Sequence, residues 1–217
     1  MDRYTLNCSC HSHASIFCSF SHKVTEPIHP DADIIFLMDS SVGVSREQLI
    51  LQQQFVRRLA RYFIISPLGP RGALVTYDRA SFTVIGFSDY GSTADFSLKI
   101  NDARLRGGSR RIDQALNYAT KMFQDTGREG LRIVILLTAG NYYSGPGADT
   151  MSSVVMRLRS IDAHLYVIGI GSQFTPSVFT QMVRKPRDIF QVASFHDLEP
   201  WQSRIARTLR HTSNACK

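Results

Sequence analysis

No apolar run in the chain approaches the roughly 20 residues that cross a bilayer, so no transmembrane helix is expected. The opening residues Met1-Asp2-Arg3-Tyr4-Thr5-Leu6-Asn7 lack the apolar core of a secretory signal, which points to a fragment or processed form. Cysteine is absent from the body of the chain; the four present are Cys8, Cys10, Cys18 and Cys216. There is no internal repeat and no Gly-X-Y stretch. No Gly-x-Ser-x-Gly elbow follows a strand, and no Gly-x-x-x-x-Gly-Lys-Ser/Thr loop could cradle phosphate, so two common routes to enzyme chemistry are missing. Acid is in deficit, with 18 Asp and Glu against 25 Lys and Arg, a net charge of +7. That balance favours acidic partners without choosing one, and it is equally the mark of a soluble basic surface.

What is present reads as one substantial domain: 217 residues, 43% hydrophobic, enough to bury a core. Residues 1–30 form a Cys-, His- and Ser-rich leader ending in Pro27 and Pro30, residues 31–212 the domain, and 213–217 a tail. Cysteines at both ends suit a bridge that staples neighbouring termini, in a connectivity the sequence leaves open. Asn7-Cys8-Ser9 is a glycosylation sequon. Both features suit a secreted, oxidising setting. Cys8, Cys10, His11, His13, Cys18 and His22 are also zinc-ligand types, but their spacing is not that of a zinc finger.

From Asp33 onward, short β-branched runs alternate with amphipathic segments. Strands are expected at 34–39, 72–77, 81–87, 131–138, 164–170 and 188–192, with 81–87 antiparallel to 72–77 across a short turn. Helices are expected at 45–64 with Ser45 as N-cap, at 92–101, from Gly107 to about 124, at 149–160, 175–184 and 196–211. Arg57, Arg58 and Arg61 fall on the wet side of the first helix. Leu198, Trp201, Ile205 and Leu209 form the core stripe of the last. This alternation predicts an α/β fold: a doubly wound, mostly parallel central sheet with one antiparallel edge strand and helices on both faces.

Three loops then meet at the carboxyl edge of that sheet, where such folds bind ligands. They carry Asp39-Ser40-Ser41, Gly107-Gly108-Ser109 and Thr138-Ala139-Gly140. One carboxylate and a few hydroxyls suit a weakly held hard cation such as Mg²⁺. The plainer reading is that Asp39 and Ser41 cap helices and tie loops together.

These segments resemble the von Willebrand factor A domain family over about residues 32–211. The family ends its first strand in Asp-x-Ser-x-Ser, opens a helix with Gly-Gly-x-Thr-x-Thr-Gly-x-Ala-Leu and closes its central strand with Thr-Asp-Gly. These build a metal-ion-dependent adhesion site that binds an acidic side chain of a partner. Asp39 and Ser41 match, as do Gly107, Gly108, Ala115 and Leu116. Gly43 replaces the second Ser, Arg110 a coordinating Thr, and Ala139 the second Asp, so two of the five metal positions survive. Arg110 opposes a cation there, and its guanidinium can pair with Asp39 instead. The expectation is a metal-free remnant with no cofactor.

Within the family, Asp31-Ala32-Asp33-Ile34, Phe87-Ser88-Asp89-Tyr90-Gly91-Ser92 and Val167-Ile168-Gly169-Ile170-Gly171 are similar to A domains of collagen VI α chains. The resemblance implies a secreted, non-enzymatic module of the extracellular matrix. Its partners would be matrix proteins or other collagen chains, contacted through Asp39, Ser40, Ser41, Arg104, Arg106, Arg110, Arg111 and Asn141. No nucleic-acid partner is expected. The alternatives are heparin-like glycan binding through Arg104 to Arg111, with arginines also recurring at Arg204, Arg207 and Arg210, or an intracellular A-domain scaffold. A phosphatase-like role for Asp39 would want a second Asp close by, where Ser41 stands.

Overall fold

The computed structural model describes residues 31–126 and 128–214. The expected leader, with Asn7, Cys8, Cys10, Cys18 and the zinc-ligand types beside them, lies outside the described residues, as does Cys216. Twelve main elements follow in order: β1 Asp33–Asp39, α1 Arg46–Phe63, β2 Arg71–Tyr77, β3 Ser81–Ile85, α2 Thr93–Lys99, α3 Ile112–Thr126, β4 Arg132–Thr138, α4 Met151–Ser160, β5 His164–Ile170, α5 Pro176–Phe179, β6 Ile189–Val192 and α6 Leu198–Asn214.

The six strands are ordered β3-β2-β1-β4-β5-β6. Every pairing is parallel except β2 with β3. The expected fold class is therefore the observed one. Successive strand side chains point to opposite faces. Ile34, Phe36 and Met38 face α1, α2 and α6, while Ile35 and Leu37 face α3, α4 and α5. Both faces are covered, which is why β1 and β4 read as unbroken apolar runs. Among the described residues no helix is long and apolar enough to cross a membrane.

Ser45 caps α1 as expected. Its hydroxyl accepts from the Gln48 amide at 3.2 Å, and the Gln48 side chain accepts from the Ser45 amide at 2.9 Å. Other boundaries differ. The glycine turn does not open α3, which begins five residues later. Residues 107–111 stay outside the helix as an irregular loop because long-range bonds pin them. The Gly107 amide donates to Ser40 O at 3.0 Å, the Val42 amide to Gly108 O at 3.0 Å and the Arg111 amide to Asp78 O at 2.9 Å. Gly107 sits at φ +74, where a side chain would be strained. The helix expected at 175–184 shrinks to Pro176–Phe179. β3 stops at Ile85 because the Asp89 carboxylate takes the Gly86 amide into a turn, at 2.7 Å. Arg57 is not wholly on the wet side: it is half-buried, donating to Ser97 O and Asn101 Oδ1. Leu198, Ile205 and Leu209 are buried as expected, and Trp201 packs against the same core.

Candidate functional site

The strand order reverses between β1 and β4, and their carboxyl ends open the crevice where α/β sheets bind ligands. Asp39 closes β1 in that crevice and is fully buried. Gln52, one helical turn past Leu49 on the buried stripe of α1, fixes its backbone: Asp39 N donates to Gln52 Oε1 at 3.2 Å, and Gln52 Nε2 donates to Asp39 O at 3.0 Å. Ser40 is held by Tyr77, whose carbonyl accepts both the Ser40 amide and its hydroxyl. Burial, with the Asp39 carboxylate adding to it, pushes the Tyr77 phenol well above its ordinary pKa. Tyr77 therefore stays protonated and donates to Leu137 O at 2.8 Å.

Both oxygens of the Asp39 carboxylate accept hydrogen bonds. Oδ1 accepts the Ser41 amide at 2.9 Å. Oδ2 accepts the Ala139 amide at 2.9 Å and Arg110 Nε at 2.7 Å. The Arg110 side chain is only 13% exposed. It threads between two glycines. A Cβ on Gly43 would lie 2.5 Å from Arg110 Nη2, and one on Gly140 would lie 2.8 Å from Nη1 and 3.2 Å from Gln173. Nη1 also donates to Asn141 O at 3.4 Å.

A divalent cation of the hard class needs several oxygen donors. Gly43 and Ala139 offer no side-chain oxygen, both Asp39 oxygens are engaged, and a guanidinium already contacts the carboxylate. The Ser41 hydroxyl is buried and finds no partner among the described residues, the one donor of the set left free. The residues present do not fit a metal ion.

The remaining rim candidates separate. Arg111 makes two bonds to buried Asp113, at 2.8 and 2.7 Å, and a third to Gly147 O. Burial alone would push the Asp113 carboxyl up, but the Arg111 guanidinium and the amides of Asp149 and Gln114 outweigh it and hold the pKa below its ordinary value. Asn141 is a tie between loops, its side chain exchanging bonds with Thr175 at 3.1 and 3.0 Å. Arg104 bonds the carbonyls of Asn101 and Ala103. Arg106 stacks 3.5 Å over the Phe82 ring. The four arginines expected to form one basic patch thus split into two that neutralise buried acids and two that do not. A groove of about 400 Å³ adjoins the crevice, lined by Gly43, Ser45, Gln48, Ala139, Gln173 and Ser194. Among the described residues no three His, Cys, Asp or Glu converge as a metal cluster.

Sequence reasoning missed the site roles of Gln52 and Tyr77, and it named Gly140 in the rim loop without its role beside Arg110. A polar Gln on an otherwise apolar helix stripe was a readable signal. The space that Gly43 and Gly140 leave for Arg110 was not, because it depends on three loops meeting.

A doubly wound sheet with an aspartate at its switch point defines a class of α/β domain with its ligand-facing surface at the carboxyl rim. Residues 33–204 match the family model for the von Willebrand factor type A domain, and the chain belongs to that family. It is 26% identical over 187 residues to the collagen alpha-4(VI) chain of Mus musculus, covering 86% of this chain and 8% of that protein. It is 24% identical over 204 residues to cochlin of Homo sapiens, covering 90% of this chain and 34% of that one. Proximal thread matrix protein 1 from the mussel byssus, solved with a zinc-occupied MIDAS motif, superposes with a TM-score of 0.76 at 22% identity, over 84% of this chain and 48% of that one. The chain therefore spans less than half the length of each of these relatives.

Proposed function

We propose that this domain is a non-enzymatic interaction module of the extracellular matrix that engages matrix proteins or other collagen chains without a metal ion. The collagen alpha-4(VI) chain among the relatives supports the matrix setting and a secreted location. One observation carries the metal-free part: Arg110 Nε lies 2.7 Å from Asp39 Oδ2, in space that Gly43 and Gly140 leave open. The guanidinium supplies the positive charge that the family's site takes from a cation. A nucleophilic role for Asp39 has no support in this geometry, since both of its oxygens are engaged.

Isothermal titration with Mg²⁺ and Mn²⁺ is expected to give no heat of binding, and a micromolar dissociation constant would refute the metal-free reading. Binding to immobilised collagen VI should be equal in Mg²⁺ and in EDTA, and absence of binding in both would remove the matrix-module reading. The heparin-like reading keeps Arg104 and Arg106 but loses Arg110 and Arg111 to buried acids. An Arg104/Arg106→Ala variant that elutes from heparin at unchanged salt would dismiss it.

A further inference from the structure

We propose that the groove between α1 and residues 100–105 is a second docking site, taking an acidic peptide segment of a protein partner with an apolar side chain between its carboxylates. The groove has a volume of about 580 Å³, in the range of ligand-binding clefts. Leu49, Ala103 and Leu105 form its apolar floor and wall. Ile50, at its edge, is 44% exposed, a large apolar side chain with no cover. Arg46 and Arg104 flank it.

The groove is held open by built contacts. Gln53 Nε2 reaches from α1 to the carbonyls of Ile100 and Ala103, at 3.1 and 3.3 Å. Next to it Arg57 ties the same helix to Ser97 and Asn101. These bonds fix the distance between the two walls, so the site is preformed and a ligand need not order it.

Charge selects the occupant. Some arginines elsewhere on this surface meet carboxylates, Arg58 with Glu199, Arg157 with Asp149 and Arg184 with Asp162. No acidic side chain lines this groove among the described residues. Arg104 bonds only backbone carbonyls, and the exposed Arg106 lies on Phe82 just beyond. An apolar floor between uncompensated arginines complements a segment that alternates acid and hydrocarbon. A sulfated glycan would satisfy the arginines but leave Leu49, Ile50 and Leu105 uncovered.

The proposal rests on reading the chain as an interaction module. The probe is a fluorescein-labelled dodecapeptide of four Asp-Leu-Glu repeats, titrated with the full chain by fluorescence anisotropy at low and high salt. Saturable, salt-sensitive binding is expected. Ile50→Glu and the double variant Arg46→Glu/Arg104→Glu should each weaken it at least about tenfold, while Arg187→Ala leaves it within about twofold. Both substituted faces are exposed, and thermal melts verify folding. No saturable binding, or binding indifferent to the groove variants, would overturn the proposal. So would a heparin oligosaccharide that binds in the peptide's place regardless of Ile50. If collagen VI binding persists while the peptide fails, the groove is wrong and the module reading stands; loss of both removes the module reading.

Discussion

Strand β1 carries an aspartate at each end, both buried, and an arginine answers each one differently. At the opening edge, Asp33 is met by Arg71 through two parallel bonds of 2.8 and 2.6 Å, with Arg128 behind it at 3.4 Å. Arg71 is the direct neighbour of Asp33 across the parallel ladder, so the pair closes a sheet end. At the carboxyl edge, Asp39 is met by Arg110 through Nε alone, from a loop 71 residues away. The Nη groups point toward Gly43, Gly140 and the Asn141 carbonyl. The first pair is a redundant clamp. The second puts a charge where the fold presents its ligand surface and has no second arginine behind it.

Removing the guanidinium at each end tests that difference most strongly. Arg110→Ala should cost about 3–5 kcal/mol by urea unfolding, since Asp39 is left buried with amides only. Arg71→Ala should cost less, about 1.5–3 kcal/mol, because Arg128 still reaches Asp33. Equal losses would erase the distinction. Next in size, Gly43→Ser should cost about 1–3 kcal/mol by forcing a Cβ against Nη2. The same substitution in an Arg110→Thr background should be nearly free, a coupling of at least about 1 kcal/mol in a double-mutant cycle. Additive effects would mean that the two positions are not matched.

Acid sensitivity offers a smaller contrast. The Asp113 carboxyl is held below its ordinary pKa when folded, so its stabilisation is complete above the unfolded value of about 4 and is lost as pH falls through the folded value. Asp113→Asn should lower stability at pH 7 and flatten its decline between pH 5 and 2 in urea titrations. The smallest effect belongs to His164 at the opening edge, where burial, then Arg184, lowers the imidazole pKa. Its contribution is present above about pH 6.5 and is lost as pH falls through the folded value, so His164→Gln should flatten the slope from pH 7 to 5. A steeper slope in either variant would reverse the assignment.

Much of this fold was legible because burial on both faces writes strands such as Ile34 to Met38 as continuous hydrocarbon. Arg110 could be named as a partner for Asp39 from its place in the motif alone. The start of α3 was not legible, because residues 107–111 are held out of the helix by carbonyls of Ser40 and Asp78 that are distant in sequence. Nor was the loss of Arg111 from the basic rim, since a charge just ahead of a helix looks solvated until its neighbour Asp113 is seen to be buried. The partner of Gln52 and the space that Gly43 and Gly140 leave for Arg110 were not legible for the same reason: each answers a group brought near only by the fold.

The central claim is that Arg110 takes the place of a cation, and it is tested most directly by restoring the family's ligands. Thermal midpoints should be followed against Mg²⁺ for the natural chain and for Gly43→Ser/Arg110→Thr/Ala139→Asp. The account predicts an unchanged midpoint for the first and a midpoint rising with Mg²⁺ for the second, since a ligand bound only to the folded state stabilises it. A midpoint that climbs with Mg²⁺ in the natural chain would contradict it.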